Sequence, residues 1–484
     1  MFSNRNKYWL LYAIAAIGFI PTFWFYYVGE EAVFPLAAIE LFQRHADWLD
    51  KTRYGIALRQ NPLFMWAIIP FSEVLGWTHM LEAIRLMALT ATLGTGLVLA
   101  WLTRQLVKDP LFAAFSALIY VTLADLLFYR GWLAYVDPLY TFCIFSAIAL
   151  LWSGALRKKI IWLAAGLCLL TCAFLVKTFT AYVFYGVFFA ALAWQKEHRD
   201  VLLNWRVILL HIAAFAFPLL WYALILGGDG SGGGSGQGHF MLWEVTDKFA
   251  RLNLADYALT LASYPFEVLL RLSPAAPIAI FFWFKNRKLV TDTPAWWSVA
   301  VISSLIGMLP YWFAPTSAAR YLMPLYPLFA LALAWPIWQA GERAVKLTCR
   351  GLISMLVLQW ALTLVIFPYY QQHFRGENYY TTAQEILREA GDMPLYATDA
   401  SAAGMSVVAY IDATIHPRPA LMAPPAHWEN GFVIAYEAAP ELGTLYRQYK
   451  LGGDQMFLLC RGTACKNISL GSPQPSPAQS TTRR

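Results

Sequence analysis

The 484 residues predict a polytopic all-α membrane protein with a small α/β domain near the C-terminus. Three observations lead there. Hydrophobic residues make up 59% of the chain, against roughly 45–50% in soluble domains. Charged residues make up 13%, about half the usual share and too few to cover a soluble fold of this length. The apolar residues gather in repeated runs near the length of about 20 that crosses a bilayer as a helix. Together these exclude a soluble multidomain protein, and they exclude intrinsic disorder for most of the chain. The 16% aromatic share suits the Trp and Tyr belts of membrane interfaces. The net charge of +7 is not a nucleic-acid signal. The basic residues fall in short clusters between apolar runs, where the positive-inside rule places them.

The first apolar run, Tyr8 to Tyr27, is too long for a signal-peptide core and lacks a small-residue cleavage site, so it reads as a signal-anchor. Further spans are expected over 81–103, 111–128, 137–155, 160–176, 180–195, 205–226, 273–284, 295–313, 320–339 and 350–368. That gives about 11–13 crossings. With the N-terminus inside, every basic cluster falls on the cytoplasmic side: Arg5/Lys7, Arg104/Lys108, Arg157-Lys158-Lys159, Lys196/Arg199/Arg206, Lys285/Arg287/Lys288 and Arg343/Lys346/Arg350. The run Pro62 to Trp77 is under the spanning length. Were it to cross, Arg157-Lys158-Lys159 would face outward. It therefore reads as a re-entrant or interfacial helix.

Three outer segments follow from this topology. Residues 28–80 form a first loop with an amphipathic stretch from Ala32 to Arg44. Residues 227–272 form a second, which opens on the glycine-rich run 227–238, a flexible composition and not a phosphate cradle. An amphipathic helix is expected after it, from Met241 to Leu252. The transmembrane unit then covers 1–369. Residues 370–470 form the α/β domain, with a helix at Thr381 to Ala390 and strands at Pro394 to Thr398, Phe432 to Tyr436 and Gln455 to Cys460. Residues 471–484 read as a disordered tail. Cys460 and Cys465 bracket a turn-like Arg461-Gly-Thr-Ala464, which suggests a small disulfide loop in an oxidising compartment; the alternative is two exposed thiols. Cys143, Cys168, Cys172 and Cys349 lie in apolar runs as plain thiols.

Few residues at the outer face can carry chemistry. Glu30 and Glu31 end the first span, and Asp137 begins the fourth in Ala134-Tyr-Val-Asp-Pro138. Carboxylates at membrane depth are costly and tend to be functional, and two facing one cavity suit base and orienter. The plain alternative is a helix cap for Asp137 and a solvated first turn for Glu30 and Glu31. Cations on the outer side run against the positive-inside rule. These are Lys177, Arg320, Arg130, Arg53 and Arg59, and they suit a phosphate at headgroup level. Snorkelling to lipid headgroups is the alternative for each. The histidines at 45, 79, 239, 373, 416 and 427 have no metal-ligand spacing, although His239 could join a carboxylate at a divalent ion.

In these residues the chain resembles the GT-C glycosyltransferases that use polyprenyl-phosphate sugars. It is most similar to the branch holding the aminoarabinose transferase of lipid A and the protein O-mannosyltransferases. The resemblance covers about residues 1–370. The family's Asp-Glu-x-Arg-Tyr stands here as Glu30-Glu31-Ala32-Val33-Phe34, its Asp-Trp as Asp47-Trp48, and its Lys-Pro-Pro-Leu as Gln60-Asn61-Pro62-Leu63. Its Leu-Asp-Pro matches Val136-Asp137-Pro138, and its Thr-Lys-Gly-Pro matches Val176-Lys177-Thr178-Phe179. Arg320-Tyr321-Leu-Met-Pro-Leu-Tyr-Pro327 is the most specific match. Three departures stand out: Glu30 replaces the catalytic Asp, Val33 replaces the motif Arg, and the motif Lys is lost at Asn61.

The resemblance implies an inverting transferase of the bacterial inner membrane, with a cytoplasmic N-terminus and a periplasmic C-terminal domain. A sugar would pass from polyprenyl (undecaprenyl) phosphate to lipid A, lipopolysaccharide or protein. Glu30 or Asp137, with Glu31, would act on the acceptor proton. Lys177, Arg320, Tyr321, Arg59, Arg53 and Arg130 would hold the donor phosphate. The lipid carrier brings an activated sugar, so the sequence requires no cofactor and leaves room for a divalent metal. The expected partners are the donor, a lipid or protein acceptor and membrane lipids, with no nucleic acid. The alternatives are a transporter or flippase of a lipid-linked saccharide, and an O-antigen polymerase or ligase.

Overall fold

A computed structural model describes residues 4–44, 52–57, 61–226, 254–285, 293–314, 318–399 and 401–467. Ten α-helices lie among the described residues of the first half: α1 (Asn4–Gly18), α2 (Val33–Arg44), α3 (Leu63–Leu75), α4 (Met80–Val107), α5 (Pro110–Val121), α6 (Asp137–Arg157), α7 (Ile160–Val176), α8 (Thr180–Ala193), α9 (Lys196–Leu202) and α10 (Trp205–Leu226). The helices Leu254–Arg271, Ala275–Lys285, Ala295–Trp312, Tyr326–Gln339 and Glu342–Ala361 complete the bundle.

Six helices among the described residues are long and apolar enough to cross a membrane, or seven if the pair Ala255–Arg271 and Ala275–Lys285, bent by 99°, counts as one. The other expected spans fold as shorter helices, because apolar runs continue through breaks that helices do not. The first run stops being α-helical at Gly18 and goes on as a 3-10 turn over Ile20–Trp24 around Pro21. The run at 111–128 ends its α-helix at Val121. The Pro62 to Trp77 run forms only the 13-residue α3. Of the apolar windows, 78% of that in α6 is buried against 11% of that in α10. Thus α6 stands inside the bundle, while α10 presents its apolar side chains outward.

The hairpin of α6 and α7 is where sequence turns into site geometry. Lys158, at φ 55°, ends α6 in a left-handed cap, and α7 returns from Ile160. Two glycines let the helices close up. A Cβ on Gly154 would sit 2.9 Å from the Leu163 side chain, and one on Gly166 would sit 3.0 Å from the Ala147 carbonyl oxygen. Close backbone approach through small residues is a usual way for membrane helices to pack. Because the hairpin is antiparallel, the first residue of α6, Asp137, meets the residue that ends α7, Lys177.

Strands β1 (Thr52–Arg53) and β2 (Ile56–Ala57) pair as a short antiparallel hairpin after α2. The C-terminal part contains a four-stranded sheet ordered β3 (Leu395–Ala397), β4 (Gly431–Ala435), β6 (Asp454–Arg461), β5 (Thr444–Leu451). Strands β3 and β4 are parallel, and the other pairs are antiparallel. A parallel pair needs a crossover, and the helix Ala402–Ile415 supplies it. The expected helix and three strands are present, and Cys460 is disulfide-bonded to Cys465. Helix Ala402–Ile415 and strand β5 were not expected. The C-terminal part seats on the segment that follows α1. Gln43 donates to the Arg418 carbonyl at 2.8 Å and accepts from the Ala420 amide at 2.7 Å, and Tyr27 packs on Tyr410 with ring centroids 5.0 Å apart.

Candidate active site

Asp137 occupies the first turn of α6, where the helix dipole favours a carboxylate. Its side chain does not cap the helix. It accepts a hydrogen bond from the Lys177 ammonium at 2.5 Å, forming an ion pair whose side chains are 10% and 19% exposed. The Lys177 charge also lies 5.5 Å from the ring centroid of Tyr140 and 5.1 Å from that of Tyr321. The Arg320 guanidinium stands 5.1 Å from the Tyr321 ring and donates to its hydroxyl at 3.2 Å. Tyr321 is therefore a shared aromatic platform for two cations, an arrangement with real attraction when partly desolvated. Tyr140 is pinned in turn by its hydroxyl contact with Thr180, at 2.7 Å. Both cations belong to short irregular links, Lys177 between α7 and α8 and Arg320 in the 3-10 turn Ala319–Leu325. Such links can aim a charge at the mouth of the bundle, where a continuous helix would bury it.

Glu30 lies near this group, for its charge and that of Asp137 both act on Arg320. It sits in a turn opened by Gly29 at φ +61°, a backbone conformation that suits glycine. A Cβ there would also meet the Tyr135 hydroxyl oxygen at 2.8 Å. The Glu30 amide donates to that hydroxyl at 3.0 Å, and the hydroxyl itself donates to the Val28 carbonyl at 3.4 Å. Burial pushes the Tyr135 phenol up, with Tyr129 adding to the effect, so Tyr135 stays protonated as a hydrogen-bonding group. The side chain of Glu30 is exposed, and its carboxylate makes no hydrogen bond or ion pair among the described residues.

Three sequence expectations change here. Glu31, read as a catalytic carboxylate, is fully buried and saturated. It accepts from the Arg85 side chain at 2.6 and 3.1 Å, from the Val28 amide at 2.7 Å and from the Ala134 amide at 2.6 Å. Arg85 also donates to the carbonyls of Thr22, Phe25 and Tyr26. Glu31 thus ties the end of the first span to α4 and to the loop before α6. Arg130, read as a phosphate ligand, faces Asp125 at 3.5 Å. Asp125 also accepts from Arg271 at 2.6 Å and from Tyr326 at 2.8 Å. Arg53, read the same way, donates to the Met405 sulfur and lies 5.8 Å from the Tyr54 ring, so it serves the contact with the C-terminal domain. Asn61, in the segment where the motif lysine is lost, is buried and donates to the Phe174 carbonyl at 2.7 Å. Arg59, Asp47-Trp48, His45, His239, the run 227–238, the Met241 to Leu252 stretch and the tail from 471 lie outside the described residues.

Arg85, Tyr135 and Tyr140 were missed. Arg85, the one arginine in the expected span 81–103, was the available signal, since an ion at that depth needs a buried partner. Among the described residues no three or more His, Cys, Asp or Glu side chains form a group that could hold a metal ion.

Comparison with solved structures bears on this geometry. A crystal structure of ArnT from Cupriavidus metallidurans bound to undecaprenyl phosphate superposes with a TM-score of 0.67, over 97% of this chain and 100% of that one. The chain has the ArnT fold. The apo structure of the same ArnT matches with a TM-score of 0.65, over 96% and 98% of the two chains. Sequence identity to each ArnT chain is 14%, so the likeness is one of fold. No family model matches the chain, and no curated protein matches it.

Proposed function

We propose that this protein is an integral-membrane glycosyltransferase that moves a sugar from a polyprenyl phosphate, such as undecaprenyl phosphate, to an acceptor arriving from the periplasm. Its acceptor is a hydroxyl or phosphate group of lipid A, lipopolysaccharide or protein. The observation that carries the reading is the Asp137–Lys177 pair beside Tyr321 and Arg320, in an ArnT fold, with the unpaired Glu30 carboxylate nearby.

The chemistry follows from charge. The donor is a phosphodiester with one negative charge, and the departing polyprenyl phosphate gains a second as the glycosidic bond breaks. Lys177 and Arg320, fixed by Tyr321, stabilise that developing charge more than the ground state, which is what accelerates a reaction. The acceptor oxygen forms the new bond to the anomeric carbon from the face opposite the phosphate. The anomeric carbon–phosphate oxygen bond breaks, its electron pair leaves on the phosphate, and configuration inverts. Glu30 takes the acceptor proton, because its carboxylate is exposed and unengaged, as a general base requires. Asp137, already held by Lys177, orients the lysine and the acceptor. The phosphate is brought by the donor, so the scheme needs no nucleotide site. The reading places the protein in the bacterial inner membrane with this site on the periplasmic side.

The test uses purified wild-type protein in detergent, radiolabelled polyprenyl-phosphate sugars and envelope extract as acceptor. Label moving from the lipid to an acceptor supports the reading. Label that only crosses a reconstituted bilayer, still on its lipid, overturns it in favour of a flippase.

A further inference from the structure

We propose that the groove between α1 and the helix Glu342–Ala361 binds an anionic phospholipid, at the end of the bundle away from the candidate active site. Asp137 and Arg157 bracket α6, which at 1.5 Å per residue separates the two ends by about 30 Å. The groove lies at the Arg157 end, for Arg157 donates to Gln105 near the close of α4, and the charge of Asp109, just beyond α4, acts on Tyr8 beside Lys7. It has a volume of about 300 Å³ and is lined by Lys7, Leu10 and Leu11 of α1 and by Lys346, Cys349, Arg350 and Ile353 of the facing helix.

The two walls carry the same order of chemistry. Lys346 and Arg350 are one turn apart on one face, and Lys7 comes from across the groove. Leu10 and Leu11 follow Lys7 by a turn, and Ile353 follows Arg350 by a turn. Both helices run inward from this end, so cations stand at headgroup depth and apolar side chains line the path toward the bilayer core. That is the layout of a phospholipid. The Lys7 ammonium is steadied 5.1 Å from the Tyr8 ring, and its charge acts on both Glu342 and Cys349 across the groove. Glu342 pairs with Lys346 at 2.8 Å, and both are exposed. The groove lining carries three cations and no carboxylate, which leaves an excess of positive charge for an anion. Basic pockets between membrane helices at this level favour acidic headgroups, and the apolar walls favour a lipid over a free phosphate.

The test titrates the full-length protein in detergent with phosphatidylglycerol and with phosphatidylcholine, and counts bound lipid by native mass spectrometry. Wild type is expected to hold one phosphatidylglycerol in preference to phosphatidylcholine. Each lost charge is worth about 1 kcal/mol near a membrane surface, so Lys346→Gln with Arg350→Gln weakens it roughly 30-fold. Lys158→Gln with Lys159→Gln, at the same end, leaves binding unchanged. Leu11→Asn, which keeps every charge, also weakens it. Equal binding of phosphatidylcholine, equal loss in the Lys158/Lys159 variant, no loss in either groove variant, or displacement of the lipid by millimolar inorganic phosphate overturns the proposal.

Discussion

Two carboxylate–cation pairs bracket the loop before α6, and they are built differently. Glu31 and Arg85 are 0% and 1% exposed, and the Glu31 carboxylate accepts hydrogen bonds from the Arg85 side chain and two backbone amides. Asp137 and Lys177 share one hydrogen bond, keep 10% and 19% exposure, and are flanked by aromatic faces that leave donor capacity unused. A saturated pair has nothing left to offer a substrate and serves as a joint. An open pair, with Glu30 and Arg320 beside it, can change partners during a reaction. The adjacent residues Glu30 and Glu31 thus have opposite fates, one left free and the other locked.

Predictions that test this contrast run from large to small. Arg85→Met strands the buried Glu31 charge and frees three carbonyls, at a cost of about 3–5 kcal/mol. Thermal unfolding in detergent is expected to fall sharply, and an unchanged melting curve would break the contrast from the structural side. Lys177→Gln is expected to slow sugar transfer by roughly 10²-fold, with a much smaller drop in melting temperature than Arg85→Met. A loss of stability matching that of Arg85→Met would make Lys177 a joint as well. Tyr135→Phe removes the hydroxyl that accepts from the Glu30 amide. A loosened base lowers kcat by about tenfold and leaves KM unchanged; a change in KM alone would detach Tyr135 from Glu30.

Asp412 sharpens the comparison from outside the membrane. It is as buried as Glu31, yet one of its oxygens has no hydrogen-bond partner among the described residues, while the other accepts from the Leu421 amide at 2.9 Å. Burial first, and the Glu40 charge to a lesser degree, hold its carboxyl well above the ordinary value of 3.8. The native state therefore keeps a proton that the unfolded chain releases. The stability this contributes is full below 3.8 and is lost as pH rises through the raised value. Asp412→Asn keeps the accepting oxygen, removes this pH dependence and stabilises at neutral pH by about 1 kcal/mol. Thermal unfolding of both proteins from pH 4 to 8 checks it; parallel curves would contradict the assignment.

Much of the site was legible in sequence because its residues stand in short motifs at the ends of apolar runs. Asp137 before Pro138, Lys177 between two runs, and Arg320-Tyr321 all carry a charge where the topology does not otherwise want one. Glu31 could not be told from Glu30 by position. What separates them is Arg85, some fifty residues away in sequence, and pairing over that distance leaves no local pattern. The contacts of Arg130 with Asp125 and of Arg53 with Met405 were illegible for the same reason, since packing fixes them. In the C-terminal part, β5 escaped notice because it is an edge strand with a largely polar sequence. The helix Ala402–Ile415 escaped because its apolar residues lie on all sides and give no clear helical stripe. Six or seven described helices have the length and apolarity of a full span where eleven apolar runs stand in the sequence, because hydropathy counts residues and does not see where a helix stops.

The most direct measurement is single-turnover sugar transfer by Glu30→Gln and Asp137→Asn, each beside wild type, with thermal unfolding recorded on the same samples. The account predicts transfer reduced roughly 10²–10⁴-fold in Glu30→Gln, strong loss in Asp137→Asn, and wild-type-like melting for Glu30→Gln. Transfer at the wild-type rate by a folded Glu30→Gln protein would contradict it.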